Sequence, residues 1–199
     1  MHGGALVLAA GFSRRFGSDK RKHLIDEKDT LLIACLRLHT RVFTHTAVVL
    51  RTDDAELVTT IDTAFQQHPG LKILFSRNAH LGMGHTISDA ISQLSDWCYI
   101  ALALADMPRI SPDTLERIQR TLITSSQQST PQIVQPLYKG QPGHPVGFTR
   151  EFFDDLERLT GDQGARELLQ QYKHQLIQID TDDPGTIWDL DERTQLDRL

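Results

Sequence analysis

Basic residues and glycines are concentrated in a short stretch near the N-terminus, and this combination suits the binding of phosphate groups. The stretch contains Gly11, Ser13, Arg14, Arg15, Gly17 and Lys20. Glycines let backbone amides come close to phosphate oxygens, while arginine and lysine neutralise the phosphate charge. The spacing matches neither G-x-x-x-x-G-K-[ST] nor G-x-G-x-x-G, which disfavours a P-loop NTPase and a Rossmann dehydrogenase. We therefore expect this loop to hold a small phosphorylated ligand.

Three aspartates are candidates for binding a divalent metal ion. Asp106 follows the apolar run 97–105, which we expect to be the central strand of a sheet. A carboxylate at the C-terminal end of such a strand lies where substrates bind in open α/β sheets. Mg²⁺ usually takes one or two protein carboxylates together with phosphate oxygens. Asp189 and Asp191 are two residues apart and share a face if their segment is extended. The alternative role for Asp106 is that of a turn residue before Pro108.

A second glycine-rich turn offers another place for a ligand. It contains Asn78, Gly82, Gly84 and Thr86 and leads into a predicted helix of about ten residues. The free amides at a helix N-terminus can meet an anion or the polar edge of a base. The alternative is that the two glycines form only a tight turn.

Two more polar residues stand at loop positions in the C-terminal half. His144 lies between Gly143 and Pro145, so its backbone freedom is restricted and its imidazole is presented in a set direction. The alternative is a solvated loop histidine. Arg166 opens a helix, where it could meet an anionic ligand or pair with a carboxylate.

The order of predicted elements indicates a parallel sheet that positions these residues. A strand ending at Ala10 is followed by a helix at 30–39, a strand at 46–50, a helix at 53–67 and a strand at 71–75. This β-α-β-α-β order is typical of a parallel sheet covered by helices. Strands at 132–138 and 145–149 flank a turn and predict a β-hairpin. We expect an α/β fold with three layers, a mostly parallel sheet and helices on both faces.

Length and composition are consistent with a single domain over residues 1–199. The net charge of −5 argues against a general nucleic-acid binder, for which a basic surplus is expected. No stretch is long enough to cross a bilayer, and no signal peptide is visible. Cys35 and Cys98 lack metal-site spacing and are expected to be packing residues in a reducing cytoplasm. We therefore expect small-molecule partners and neither nucleic acid nor membrane.

The N-terminal stretch resembles the nucleotidyltransferase signature L-A-A-G-x-S-x-R-x-G-x-x-K. More narrowly, it is similar to the MobA-like NTP transferases that include the molybdenum cofactor cytidylyltransferases. The matching positions are Leu8, Ala9, Ala10, Gly11, Ser13, Arg15, Gly17 and Lys20. The strings G-H-P at 143–145 and G-D-x-G-A-R at 161–166 resemble the cytidylyltransferase branch. The chain departs from the family pattern at His85, where serine is more usual, and at 192–195, which replace T-P-E-D.

The resemblance implies a Rossmann-like nucleotidyltransferase fold and a Mg²⁺-dependent reaction. In that reaction CMP moves from CTP to molybdopterin and pyrophosphate is released. The implied catalytic residues are Arg15, Lys20 and Asp106. The implied nucleotide-binding residues are Leu8, Ala9, Ala10, Gly11, Ser13, Arg14, Lys20, Asn78, Gly82, Gly84 and Thr86. His144 and Arg166 are implied for the acceptor, and Asp106 with Asp189 or Asp191 for the metal.

Two alternatives to this function remain open at the level of the sequence. One is a nucleotidyltransferase that uses GTP or another NTP, or transfers to a sugar or alcohol phosphate. The other is a non-catalytic module that delivers cofactor to a molybdoenzyme, with transient contact to that enzyme or its chaperone.

Overall fold

The computed structural model describes residues 2–13, 16–66, 68–128 and 131–190. Within these ranges the strands are β1 (Gly4–Leu8), β2 (Thr46–Arg51), β3 (Leu71–Ser76), β4 (Tyr99–Leu104), β5 (Ile133–Tyr138), β6 (Gln141–Pro142), β7 (Val146–Thr149) and β8 (Leu176–Thr181). The α-helices are α1 (Leu31–Val42), α2 (Ala55–Phe65), α3 (Met83–Ile91), α4 (Pro112–Gln127), α5 (Phe153–Glu157) and α6 (Arg166–Gln171). Short 3₁₀ turns lie at Lys20–Lys22, Ala79–Leu81, Arg150–Phe152, Lys173–Gln175 and Pro184–Thr186.

The described strands form one mixed, open sheet in the order β3-β2-β1-β4-β7-β5, in which β5 also pairs with β6 and β8. β1 lies parallel to both β2 and β4, with Val7 opposite Val48 on one side and Ala103 on the other. β7 runs antiparallel to β4 and to β5. The predicted hairpin is present, and its returning strand is inserted in the middle of the sheet.

Helices cover both faces of the sheet, which confirms the predicted three-layer architecture. Alternate residues of a strand point to opposite faces, so β1 contributes to two core clusters. Val7 packs in one cluster with residues of α1 and α2, whereas Leu6 and Leu8 pack in another with residues of α3, α5 and α6. The apolar residues of α4 join a third cluster with Ala5 and Ala101. Because odd-numbered β1 residues share a face, α4 lies on the same side as α1.

Several element boundaries differ from those predicted. Thr30 caps α1 as expected, its hydroxyl accepting a hydrogen bond from the Ile33 amide, but the helix continues beyond residue 39 to Val42. The predicted strand 97–105 is shorter at both ends because Trp97 and Ala105 take part in turns. No helix of the described residues is both long and apolar enough to span a bilayer.

Candidate active site

A cavity of about 390 Å³ opens at the C-terminal ends of β1 and β4. In open α/β sheets ligands bind beyond this end of parallel strands. Its lining includes nine of the residues predicted from the sequence, namely Leu8, Ala9, Ala10, Gly11, Ser13, Lys20, Gly82, Thr86 and Asp106. The loop after β1, the end of β4 and the start of α3 therefore meet around one space.

Lys20 and Asp106 are in direct contact at this cavity. The Lys20 ammonium lies 2.7 Å from Oδ2 of Asp106, although the two residues are 86 positions apart in the chain. Both side chains are largely shielded, with relative exposures of 16% and 19%. The other carboxylate oxygen, Oδ1 of Asp106, is buried and accepts no hydrogen bond from the residues that the structure describes. A buried anionic oxygen without a donor has unused capacity for a cation.

Leu190 is hydrogen-bonded to both Lys20 and Asp106. The Leu190 amide donates a hydrogen bond to the Asp106 carbonyl, and the Leu190 carbonyl accepts one from the Lys20 ammonium. Asp189 therefore lies next in the chain to a residue bound to both groups. Among the described residues, no cluster of three or more His, Cys, Asp or Glu side chains is arranged for a metal ion.

The Lys20–Lys22 turn contains a buried arginine that fixes the turn to the rest of the protein. Arg21 is only 3% exposed and donates to the Ala9 carbonyl at 2.6 Å. Its guanidinium also forms ion pairs with Asp19 and with Asp54, at the start of α2. Arg51 contacts the same Asp54 carboxylate at 2.8 Å. This network fixes the loop after β1 to β2 and α2, and Lys20 points into the cavity from it.

The first turn of α3 packs against the loop 160–164, and its glycines make this approach possible. The Gly84 amide donates to the Gly161 carbonyl at 2.8 Å. A methyl group on Gly84 would lie 2.5 Å from the Thr160 carbonyl oxygen, and one on Gly82 would collide with Gly161 and Asp162. Gly82 also has a φ of 123°, which side chains disfavour. Both glycines allow close packing of backbone on backbone here. Gly82 also lines the cavity, whereas Gly84 does not.

Replacing Gly84 by alanine is therefore expected to destabilise the fold, even though alanine is the better helix former. Overpacking against backbone atoms that cannot move aside outweighs the gain in helix propensity. We expect a loss of about 2 kcal/mol, or roughly 4–8 °C in the melting temperature. Thermal unfolding measures the change. Gly11→Ala is the matched control, since its methyl group would meet no atom within 4 Å, and it should melt like the wild type. Equal melting of both variants would contradict the packing role.

Other predicted site residues lie outside the cavity lining. The Asn78 side-chain amide donates a hydrogen bond to Oδ1 of Asp89 in α3 at 3.1 Å, so this amide is already engaged within the protein. Gly84, Arg166 and Asp189 do not line the cavity, and Arg166 is exposed at the start of α6. Arg14, Arg15 and Asp191 lie outside the described residues.

His144 lies between β6 and β7, where its amide donates a hydrogen bond to the Thr186 carbonyl at 2.8 Å. Burial lowers the pKa of its imidazole, against the opposing effects of the Leu102 backbone and the Asp106 charge. Its Nδ1 is buried and has no hydrogen-bond partner among the described residues. The histidine lies outside the cavity lining.

The cavity also contains residues that the sequence did not single out. Phe12 lies at its edge, and the Arg51 guanidinium lies over the phenyl ring at 4.9 Å. His80, Met83 and Asp162 line the side nearest α3. Asp162 belongs to the G-D-x-G-A-R string, but it is at least 76 positions away in the chain from every lining residue outside 104–106. Only the packing of the loop 160–164 on α3 reveals its place.

The chain is similar to known proteins over almost its whole length. It is 28% identical to the purine catabolism protein PucB of Bacillus subtilis, over 98% of this chain and 94% of that protein. The crystal structure of the Mycobacterium tuberculosis Rv0371c homologue from Mycobacterium sp. strain JC1 is 28% identical. Its TM-score is 0.79, with 98% of this chain and 93% of that one covered.

A third similar protein was solved with a metal ion. The manganese complex of Rv0371C from Mycobacterium tuberculosis H37Rv is 23% identical, with a TM-score of 0.69, and the match covers 91% of this chain and 89% of that one. A model of the MobA-like NTP transferase domain matches residues 5–176, which include β1, the Lys20 turn, α3 and Asp106. The chain therefore belongs to the MobA-like NTP transferase family of nucleotidyltransferases.

Proposed function

We propose that this protein, as a single nucleotidyltransferase domain, transfers CMP from CTP to the phosphate of molybdopterin and releases pyrophosphate. The observation that carries the proposal is the contact between Lys20 and Asp106 at the cavity. A cation suited to phosphate and a carboxylate suited to a divalent metal occupy one place there, at the end of the sheet where ligands bind.

The reaction needs no side-chain nucleophile. An oxygen of the acceptor phosphate attacks the α-phosphorus of CTP, a new phosphorus–oxygen bond forms, and the bond from the α-phosphorus to the bridging oxygen breaks. That oxygen leaves as part of pyrophosphate. Catalysis then consists of positioning and charge neutralisation. We assign Lys20 to the triphosphate, which it reaches by leaving Asp106, and Arg15 to the same charge. Amides around Gly11 and the Ser13 hydroxyl complete this phosphate site.

A divalent metal fits the acidic side of the site. Oδ1 of Asp106 is buried and unpaired in the structure, which is the condition of a carboxylate prepared for a cation. Members of the family use divalent metals. We assign Asp106, together with Asp189 or Asp191, to Mg²⁺. When bound, the metal would neutralise charge on phosphate oxygens and bring the two substrates together.

The choice of CTP and molybdopterin is supported by three strings of the sequence. L-A-A-G at 8–11, G-H-P at 143–145 and G-D-x-G-A-R at 161–166 resemble the cytidylyltransferase branch. We assign His144 and Arg166 to the acceptor on the same resemblance. The free thiols of Cys35 and Cys98 suit the reducing cytoplasm, where transient contact with a molybdoenzyme would complete delivery.

Pyrophosphate release with a panel of nucleotides tests the proposal. CTP, GTP, ATP and UTP are each incubated with the protein and Mg²⁺, with and without molybdopterin. We expect release only with molybdopterin present, fastest with CTP, and abolished by EDTA. Faster release with GTP, ATP or UTP than with CTP would assign another nucleotidyl transfer. No release under any condition would overturn the enzymatic function.

A further inference from the structure

Asp162 places a carboxylate in the cavity on the side of α3, opposite the loop that follows β1. Asp162 lines the cavity together with Gly82, Met83 and Thr86 at the start of α3. Its Oδ1 lies against the Cα of Gly82, at the position where a side chain would begin. The Asp162 carboxylate accepts no hydrogen bond from any described residue, so both oxygens are available to a ligand.

Asp162 and the Lys20–Lys22 turn reach the cavity from opposite faces of the sheet. The Lys20–Lys22 turn contacts α1, which packs on the face of β1 that carries Val7. Asp162 contacts the start of α3, which packs on the opposite face with Leu6 and Leu8. The cavity therefore bridges the end of β1. On the side of the Lys20–Lys22 turn, two cations, Lys20 and Arg21, line it together with Asp106, and Asp162 supplies a carboxylate on the side of α3.

This polarity orients a nucleotide. The triphosphate carries the negative charge and is attracted by Lys20, whereas the Asp162 carboxylate repels it. The ribose and the base are uncharged and can lie beside a carboxylate, and of these two parts only the base differs between nucleotides. A carboxylate can only accept hydrogen bonds when ionised, so it favours a base edge that donates.

The bases differ in what they offer to such an acceptor. Cytosine has an amino group at C4, whereas uracil has a carbonyl oxygen at the same position. The amino group donates a charge-assisted hydrogen bond to a carboxylate, but the carbonyl oxygen is repelled by it. Adenine and guanine also carry donors. Uracil has a donor of its own at N3–H, but this donor stands between two carbonyl oxygens, so a carboxylate placed at the C4 edge favours cytosine over uracil.

We infer that Asp162 is a specificity-determining residue that accepts a hydrogen bond from the amino group of the nucleobase and excludes UTP. The inference rests on the proposed function for the orientation of the nucleotide. It gives the loop 160–164 a role in base selection, which adds to the acceptor role assigned to Arg166 in the same string.

Equilibrium binding of CTP and UTP tests this inference without the transfer reaction. Titration calorimetry in the presence of Mg²⁺, without acceptor, gives the ratio of the two dissociation constants for the wild type and for Asp162→Asn. We expect the wild type to prefer CTP roughly ten- to a hundredfold. Asparagine can turn either an acceptor or a donor to the base, so the variant should bind the two nucleotides within about threefold of each other. Asp162→Ala should lose the preference as well.

Glu167→Gln is the matched control, because it removes one negative charge from the first turn of α6 without touching the cavity. It should keep the wild-type ratio. Equal binding of CTP and UTP by the wild type, or a wild-type ratio in both Asp162 variants, would overturn the inference. If the ratio changes as expected while no nucleotide yields pyrophosphate, base selection by Asp162 stands and the transfer reaction fails.

Discussion

Asp106→Asn should abolish nucleotidyl transfer while leaving the fold intact. Asparagine has nearly the same shape but lacks the charge that binds Lys20 and that would hold a divalent metal. A metal at a transferring phosphoryl group contributes several kcal/mol to the transition state, so kcat should fall at least about 10³-fold. Pyrophosphate release measures this loss, and thermal unfolding measures the stability.

The stability of this variant should separate a functional role from a structural one. Oδ1 of Asp106 is buried without a donor, so the carboxylate is poorly solvated in the absence of ligand. Removing its charge relieves this poor solvation but also removes the ion pair with Lys20, so the two effects offset each other and the melting temperature should change by less than about 4 °C. Asp96→Asn, an exposed change in the turn before β4, is the control and should retain full activity. An active Asp106→Asn enzyme would reject the assignment of this carboxylate.

Arg21→Met should cause a large loss of stability, although the same residue stands in a basic stretch that suggests a phosphate ligand. The change leaves Asp54, which is 5% exposed, with Arg51 as its remaining ion-pair partner in the described structure. Removing one partner of a buried ion pair lowers the free energy of unfolding by about 3–5 kcal/mol. Because Arg51 still pairs with Asp54, we expect a loss near about 3 kcal/mol. We expect the melting temperature to fall by roughly 6–12 °C. Lys22→Met removes an exposed ion pair with Glu56 and should change stability by less than about 0.5 kcal/mol.

The pH dependence of this loss follows from the carboxylates. Burial raises the pKa of the Asp54 carboxyl, but the hydrogen bonds from Arg21 and Arg51 outweigh it and hold that pKa below its ordinary value. A depressed pKa contributes stability above the unfolded value of about 3.9, and this contribution disappears as the pH falls through the folded pKa. The difference between wild type and Arg21→Met should be constant from pH 7 to about 5 and shrink below about 4. A difference that grows in acid would contradict the ion-pair origin.

The sequence predicted the parts of the site that lie directly at strand ends. Lys20 follows β1 and Asp106 follows β4, and parallel strands that are neighbours in a sheet bring such positions together. The apolar runs that form β1 and β4 are readable without a partner, because a strand buried on both faces is apolar throughout. This is why two residues far apart in the chain could be assigned to one cavity.

The sequence could not assign residues whose role depends on packing between distant segments. Arg21 belongs to the same basic stretch as Lys20, but its guanidinium faces Asp54, and nothing in the local pattern distinguishes the two side chains. Asp162 enters the cavity only because Gly82 and Gly84 let the loop 160–164 approach α3. Asn78 is the opposite case. The sequence suggests it as a ligand residue, but its side chain is bound to Asp89 by a contact between a loop and a helix that the sequence does not reveal.

The reversed strand β7 has a consequence for biosynthesis. In the sheet, β5 and β8 reach the four parallel strands only through β7, which fills the position beside β4. A ribosome releases β1 to β4 first, and the apolar β4 then has an open edge until Thr149 has left the exit tunnel. Unpaired strand edges associate with one another, so the nascent chain is most exposed to aggregation during translation of α4 and the hairpin. Chaperones that act on ribosome-bound chains would protect this interval.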